Sequence, residues 1–373
     1  MSATLIKIAN EETIVLKKIS AILIIFVLLS ISGVQASENN SVEYPITVTD
    51  SSGSVITIEK EPQRIVSLMP SITEILFAVG AGDKVVGGTE DDYFPPEASD
   101  LTKVGRYTTI NYETVAQLEP DLVLLDEANG EDTINRLEEL NIQTIIVNPK
   151  TIDEIMQSIL LVGTVTNNKE NAQSVVDDMQ QVIDAVKENS QDIPEDERPG
   201  VLYIVWDDPM YAAGADTYPA DLIKMAGGKN IIEASDWTVI NLETVVNADP
   251  QIIICSGMGG LSYQIANNTR NNEAFETVDA IKNDRVYPIK DPNIIELSGP
   301  RIVQGLEELQ VYMGTDWEQK DFTSLEYPEQ TNSGSEEEST GQENENSTAQ
   351  APGFGALFAI SIMILGHIGQ KRH

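Results

Sequence analysis

Residues 107–124 read YTTINYETVAQLEPDLVL, and residues 237–254 read WTVINLETVVNADPQIII. At a constant offset of 130 positions, the residues that recur include Ile110, Asn111, Glu113, Thr114, Val115 and Pro120, which return as Ile240, Asn241, Glu243, Thr244, Val245 and Pro250. In each copy an asparagine suited to capping a helix precedes a short helical pattern, and an apolar run follows the proline. The repeat therefore predicts two copies of one α/β unit, with a cleft between the copies.

Apolar runs alternate with helical patterns on both sides of the repeat. The predicted buried strands are residues 64–68, 122–125, 144–147, 201–205 and 252–255. Helical patterns lie between them, for example over residues 71–79 and 220–226. This βαβα order is typical of parallel sheets covered by helices. Ahead of them, YPITVTDSSGSVITIE (44–59) alternates apolar and polar residues around a turn, which predicts a β-hairpin.

One long amphipathic helix is predicted between the two halves. Its apolar face follows the i, i+3, i+4, i+7 spacing through Ala172, Val175, Val176, Met179, Val182, Ile183 and Val186. Asn167 or Asn168 could start it, and no glycine or proline interrupts it before Asn189. A helix of this length spans roughly 30 Å. We therefore expect a first lobe over 44–165, a linker helix over 166–192 and a second lobe over 193–317. The predicted fold is α/β, with two parallel-sheet lobes joined by one long helix.

The composition excludes several classes of function. The chain has 373 residues, with 60 acidic against 23 basic side chains and a formal charge of −37. A nucleic-acid partner is not expected, because the phosphate backbone would be repelled. Cys255 is the one cysteine, and His367 and His373 are the two histidines, both near the C-terminus. The body therefore cannot build a disulfide, a cysteine cluster or a histidine-based metal site, and we expect neither a metal nor a cofactor.

Both ends are predicted to be addressing segments. Residues 1–36 have a lysine pair, a short apolar run and small residues before Ala36, which is typical of a secretory signal peptide. Residues 318–351 are acidic and polar and are expected to form a disordered stalk. Residues 352–373 begin with Pro-Gly-Phe and resemble the archaeal C-terminal sorting signal that is exchanged for a lipid; a plain membrane anchor is the alternative. N-glycosylation triplets begin at Asn39, Asn267 and Asn346.

The repeated glutamates have two interpretations. Asn111 and Asn241 are good N-caps, so Glu113 and Glu243 fall in the first helical turn, where the helix dipole favours a negative charge. Local helix stabilisation explains them completely. Alternatively, the pair projects from matching corners of the two lobes and contacts basic residues on a symmetric partner.

Aromatic residues follow several of the predicted strands. Tyr107 and Trp237 each stand six residues before a repeated glutamate; Trp206 and Tyr211 lie in VWDDPMYAAG, and Tyr93 lies in DDYFPP. Loops past the carboxyl ends of parallel strands line ligand crevices, so these side chains could form the walls for a large planar or apolar ligand. Packing of half-buried aromatic rings against the loops is the alternative.

The body resembles the substrate-binding proteins of ABC importers for vitamin B12, ferric siderophores and haem, in the two-lobe class with a single linking helix. The resemblance covers nearly all of residues 44–313 and is carried by RIVSLMPSITEILFAVG, DDYFPPEA, INYETVAQLEPDLVL, LIKMAGGKNI, INLETVVNADPQIII and SGPRI. It implies that Glu113 and Glu243 dock onto arginines of a permease dimer, which works with its ATPase. It also implies that Tyr107 and Trp237 match the cleft aromatics of vitamin B12 binders, although the first is a tryptophan there.

We expect the ligand to be a corrinoid of the cobalamin type, because aromatic walls suit a bulky and nearly neutral molecule. A ferric siderophore is the close alternative, with Arg106, Arg301 and Lys224 as the cations available to it. Haem is a further alternative, with Tyr93, Tyr107 or Tyr211 as the axial ligand. The protein is expected to be a monomer, not an enzyme, held outside the cell membrane by its C-terminal anchor or lipid.

Two classes outside transport are weaker alternatives. Asp207-Asp208 or Glu90-Asp91-Asp92 could supply the carboxylate pair of a secreted acidic glycoside hydrolase. Such runs are common in acidic proteins and more often lie on solvated loops. A surface adhesin would bind no small ligand at all.

Overall fold

The computed structural model describes residues 42–257 and 260–314. The predicted signal peptide, stalk and C-terminal anchor lie outside the described residues, as do Asn39 and Asn346. Within the described ranges, no helix combines the length and the apolar character that crossing a membrane requires.

A parallel sheet forms the centre of the first half. The strands of this half are β1 (Ile46–Thr49), β2 (Val55–Ile58), β3 (Ile65–Ser67), β4 (Val85–Gly88), β5 (Thr102–Lys103), β6 (Gly105–Arg106), β7 (Thr109–Ile110), β8 (Leu122–Leu125) and β9 (Thr144–Ile146). The order in the sheet is β5-β4-β3-β8-β9, and every pairing is parallel. Strands β1 and β2 pair antiparallel, which confirms the predicted hairpin. Strands β6 and β7 form a second small antiparallel pair.

The helices of this half are α1 (Pro70–Ala78), α2 (Tyr112–Gln117), α3 (Glu131–Glu139) and α4 (Ile152–Val165), and the linker helix α5 (Lys169–Ser190) follows them. They cover both faces of the sheet, as the alternation in β8 shows. Leu122 and Leu124 join one buried cluster, whereas Val123 and Leu125 join another on the opposite face. Because successive side chains of a strand point to opposite faces, four apolar residues in a row require cover on both sides.

The second half repeats this plan with an addition. Its strands are β10 (Gly200–Asp207), β11 (Met210–Ala213), β12 (Lys229–Asn230), β13 (Trp237–Val239), β14 (Ile252–Cys255) and β15 (Val286–Pro288). Its helices are α6 (Tyr218–Met225), α7 (Leu242–Ala248), α8 (Ser262–Arg270), α9 (Asp279–Lys282), α10 (Asn293–Glu296) and α11 (Ile302–Tyr312). Strands β12, β10, β14 and β15 pair in parallel. Strands β11 and β13 extend the sheet with antiparallel pairings that the apolar pattern had not indicated.

The 130-residue repeat corresponds to matching structure in the two halves. The side chain of Asn111 accepts a hydrogen bond from the backbone N–H of Thr114, and Asn241 caps α7 in the same way through Thr244. Beyond each helix stands an acidic residue with positive φ, 45° at Glu119 and 44° at Asp249. Strands β8 and β14 follow directly. Local capping chemistry is therefore the same in both copies.

The linker helix α5 has 22 residues and packs against α4 and α11. Asn168 occupies its N-cap position, but its side chain makes no capping bond and instead donates to the carbonyl oxygen of Thr166 at 2.9 Å. Met179, Val182, Ile183 and Val186 are buried in an apolar cluster that contains residues of both lobes. The helix is thus part of a core that continues from one lobe to the other.

Candidate functional site

An inner strand of each sheet is followed by a polar residue. Asp126 directly follows β8 and Ser256 directly follows β14. Helix contacts also cross from one lobe to the other: Asp221 in α6 accepts a hydrogen bond from the backbone N–H of Ile152 at the start of α4 (3.4 Å). We call this region the interlobe junction. Its main members are Glu74, Tyr107 and Asp126 in the first lobe, and Tyr218, Trp237, Glu296 and Arg301 in the second.

A buried ion pair links the lobes. The Arg301 Nε and Nη2 atoms lie 3.0 and 2.9 Å from Oε2 of Glu74, and the backbone N–H of Arg301 donates to Oε1 at 3.1 Å. The guanidinium also lies 3.7 Å from the ring centroid of Phe94. The side chains of Glu74 and Arg301 are 1% and 10% exposed. Arg301 was expected as a cation available to an anionic ligand. Instead, these contacts use it to hold α1 of the first lobe against the start of α11.

Trp237 belongs to an aromatic group in the second lobe. It was expected on a loop, but it is the first residue of the antiparallel strand β13. Its ring lies 6.1 Å from that of Tyr218 in an edge-to-face arrangement and 6.4 Å from that of Tyr203. The backbone of Gly214 supports this segment closely, because a Cβ there would lie 2.2 Å from the carbonyl oxygen of Asp236. A half-buried indole is thus held in a fixed place beside two phenol rings.

Tyr107 is presented by the small β6–β7 hairpin of the first lobe. At the base of this hairpin Gly105 has φ +96°, and a Cβ there would lie 2.4 Å from the carbonyl oxygen of Thr109, so glycine is required. The side-chain amide of Asn129 donates to the carbonyl oxygen of Tyr107 (2.7 Å) and to that of Leu68 (2.9 Å). These bonds fix the turn that carries the half-buried Tyr107.

Charge at the junction is predominantly acidic. Arg106, beside Tyr107, forms an ion pair of 2.6 Å with Asp91. Burial raises the pKa of Asp126 to about 6. Burial also raises the pKa of Tyr107 well above its ordinary value, and the charges of Asp91 and Glu296 add to this rise. Because Glu296 belongs to the second lobe, its effect on Tyr107 places the two side chains within electrostatic reach across the junction.

The other predicted aromatics have different surroundings. Trp206 lies inside β10 rather than after it, and its indole N–H donates to the carbonyl oxygen of Asp208 (2.9 Å). Tyr211 lies in β11 and is 4% exposed, so its ring is part of the core. Tyr93 is 67% exposed. The structure therefore brings Tyr107 and Trp237 to the junction, whereas Tyr211 and Tyr93 lie at the two extremes of burial.

Glu113 and Glu243 occupy equivalent positions, each exposed in the first turn of α2 or α7. Gln117 approaches Oε1 of Glu113 at 3.4 Å. Around Glu243, three apolar side chains are exposed: Val239, Leu242 and Val246. Both carboxylates can reach a partner from the protein surface.

Sequence reasoning missed several residues of the junction. Asp126 and Ser256 follow central strands directly, and the rule that ligands bind at strand carboxyl ends could have found them. Glu74 is a single charge within the apolar helix PSITEILFA, a pattern that signals a buried partner. Tyr218 and Glu296 carry no such local signal. Among the described residues, no group of three or more acidic, histidine or cysteine side chains is placed to hold a metal ion.

This architecture is that of a two-lobed solute-binding protein. It has two α/β lobes, one connecting helix, and polar and aromatic side chains where the strands of both sheets end. The chain belongs to the periplasmic binding protein family, whose sequence profile matches residues 65–292.

Three comparisons illustrate this membership. The chain is 34% identical over 272 residues to an uncharacterized ABC transporter substrate-binding lipoprotein, YvrC, of Bacillus subtilis, covering 71% of this chain and 84% of that protein. It is 28% identical over 289 residues to a cobalamin-binding protein of Halobacterium salinarum, covering 74% and 75%. The structure of the periplasmic heme-binding protein RhuT from Roseiflexus is similar with a TM-score of 0.59 at 26% identity, covering 67% of this chain and 97% of that one.

Proposed function

We propose that this protein is the solute-binding component of an ABC importer, and that it binds a corrinoid of the cobalamin type between its lobes. The observation that carries the choice of ligand is that both of the expected arginines are already paired with carboxylates. Arg106 is paired with Asp91 and Arg301 with Glu74, while Trp237 and its neighbouring phenols supply aromatic surface. A bulky ligand without strong negative charge suits such a site. The similarity to a cobalamin-binding protein supports the same choice.

A ferric siderophore is the second candidate ligand, and haem the third. An anionic siderophore needs several cations, yet Lys224 is exposed in α6 and the two arginines already face carboxylates. Haem needs an axial ligand, and tyrosine binds ferric iron as the phenolate. Burial raises the pKa of Tyr107, which disfavours the phenolate. The similarity to a heme-binding structure keeps haem among the ligands to be tested.

Delivery to a permease dimer is the second part of the proposal. Glu113 and Glu243 are exposed at equivalent corners of the two lobes, as a two-point contact with a symmetric partner requires. The predicted signal peptide and C-terminal anchor would keep the protein outside the cytoplasm and tethered to the membrane. The similarity to a substrate-binding lipoprotein supports this location.

Two of the carboxylates considered for hydrolysis, Asp91 and Asp92, are held by other groups. Asp91 pairs with Arg106, and Asp92 is buried and accepts hydrogen bonds from Thr73 and Thr89. These contacts support a binding protein rather than a glycoside hydrolase.

Calorimetric titration of the purified protein tests the proposed ligand directly. Cyanocobalamin, cobinamide, haem and a ferric catecholate siderophore are each added to the same preparation. We expect saturable binding of the two corrinoids with one site per chain. Tight binding of the siderophore or of haem, without corrinoid binding, would refute the corrinoid proposal while leaving the importer class intact.

A further inference from the structure

Glu296 is fixed at the interlobe junction by two other parts of the second lobe. It is the last residue of the single-turn helix α10, and it is half-buried. The hydroxyl of Ser256, at the carboxyl end of β14, donates a hydrogen bond to its Oε1. The hydroxyl of Tyr218 donates to its backbone carbonyl oxygen at 2.8 Å. The carboxylate therefore has a defined position at the edge where ligands bind in sheets of this type.

The same carboxylate lies beside the aromatic group. Tyr218, which contacts the backbone of Glu296, is also the ring packed edge-to-face against Trp237. Tyr203, the other neighbour of Trp237, has a fully buried hydroxyl without a well-formed hydrogen bond to any described residue. Burial raises the pKa of this hydroxyl well above its ordinary value, and the nearby Ser256 hydroxyl offsets only part of the rise. The charge of Glu296 adds to the rise in the pKa of both phenols. An acceptor and an aromatic wall are thus combined in one place.

The charge of Glu296 also acts on the first lobe. Its charge contributes to the raised pKa of Tyr107, which the β6–β7 hairpin presents from the opposite side. Asp126, at the end of β8, contributes to the raised pKa of Tyr218. A ligand held between Tyr107 and Trp237 would therefore meet acidic groups from both lobes.

The chemistry of the carboxylate restricts its partner. An ionised carboxylate only accepts hydrogen bonds, whereas a primary amide offers two N–H donors. Bonds to an ionised acceptor are stronger than neutral ones. Corrinoids carry primary amides around the macrocycle, whereas haem and catecholate siderophores carry anionic oxygens. We propose that Glu296 accepts hydrogen bonds from peripheral amides of the bound corrinoid and selects against ligands rich in anionic groups. This inference rests on the proposed function.

The variant Glu296→Gln tests the inference. It keeps the shape of the side chain, an acceptor for Ser256 and the backbone carbonyl used by Tyr218, so the fold should persist, and thermal unfolding checks this. Glu276→Gln removes an exposed charge in the same lobe and serves as the control. Affinities for cobinamide, cyanocobalamin and a ferric catecholate are measured by calorimetry. We expect corrinoid affinity to fall about tenfold or more in Glu296→Gln, as for the loss of one charge-assisted hydrogen bond, and to stay unchanged in the control.

The outcomes separate the two proposals. Wild-type protein that binds corrinoids, with Glu296→Gln binding within twofold of it, would overturn the role of Glu296 and leave the proposed function standing. Wild-type protein that binds no corrinoid would overturn the proposed function and this inference together. The proposed function and the role of Glu296 would both be supported if the corrinoid-to-siderophore affinity ratio falls about tenfold in Glu296→Gln and stays constant in Glu276→Gln.

Discussion

The ion pair between Glu74 and Arg301 should be a major determinant of stability. Its carboxylate is 1% exposed, and it receives two hydrogen bonds from the guanidinium and one from the backbone N–H of Arg301. Removing one partner leaves the other charge buried, which costs about 3–5 kcal/mol of unfolding free energy. We expect the loss of unfolding free energy in Arg301→Met to approach the upper end of this range, because the buried carboxylate of Glu74 then has no guanidinium beside it. Glu74→Met should cost less, because Asp291 lies 3.9 Å from the remaining guanidinium.

The double variant Glu74→Met/Arg301→Met distinguishes a paired contribution from two separate ones. With both charges gone, two methionine side chains of similar size fill the site and only the backbone N–H of residue 301 loses its acceptor, so we expect a loss of about 1–2 kcal/mol. Set against single losses of about 3–5 kcal/mol each, this corresponds to a coupling energy of about 4 kcal/mol or more. Urea denaturation followed by circular dichroism measures all three variants. Arg136→Met is the matched control, because the Arg136–Glu139 pair is 54% and 65% exposed and should contribute at most about 0.5 kcal/mol.

Two results would refute this reasoning. Single variants that lose less than about 1 kcal/mol would show that the pair does not hold the lobes together. A double variant as unstable as the sum of the singles would show that each side chain acts through other contacts, for example Arg301 through Phe94.

Three further predictions concern binding, delivery and pH. Trp237→Ala should weaken ligand binding by about 1–3 kcal/mol in a calorimetric titration, because the indole forms the aromatic wall with Tyr218. Replacing both Glu113 and Glu243 by Lys should leave ligand affinity intact but abolish uptake in cells that carry the native permease, since both contacts would become repulsive. Burial raises the pKa of Glu307 to about 7 from an ordinary 4.5, so the folded state binds this proton more tightly than the unfolded state. The protonated Glu307 carboxyl therefore contributes to the free energy of unfolding fully below about pH 4.5, and this contribution is lost as the pH rises through about 7. Glu307→Gln should abolish this fall in unfolding free energy, which urea denaturation at several pH values measures.

Each of these predictions has an outcome that contradicts it. An unchanged dissociation constant would remove Trp237 from the binding site. Uptake that persists in the double lysine variant, or ligand affinity that is lost in it, would show that the glutamates do not dock to a permease. Equal pH profiles of wild type and Glu307→Gln between pH 5 and 8 would place the titrating group elsewhere.

Local features of the fold could be predicted from the sequence. The β1–β2 hairpin follows from alternation around a turn, and β8 and β14 follow from unbroken apolar runs that need cover on both faces. Asn111 and Asn241 cap their helices as expected, because an asparagine side chain reaches the N–H three residues on. Cys255 ends the predicted strand 252–255, and it is fully buried at the end of β14.

The assembly of the junction depends on tertiary packing. Glu74 and Arg301 are separated by 227 residues, so no periodicity relates them, and the packing of the lobes around α5 brings them together. The addition of β13 next to β11 moves Trp237 from the expected loop into a strand beside Tyr218, and α10 then sets Glu296 against Ser256. The repeated unit could be predicted from the sequence alone, because strands, caps and turns depend on neighbouring residues. The neighbours of each site residue come from distant parts of the chain, and only sheet pairing and lobe packing select them.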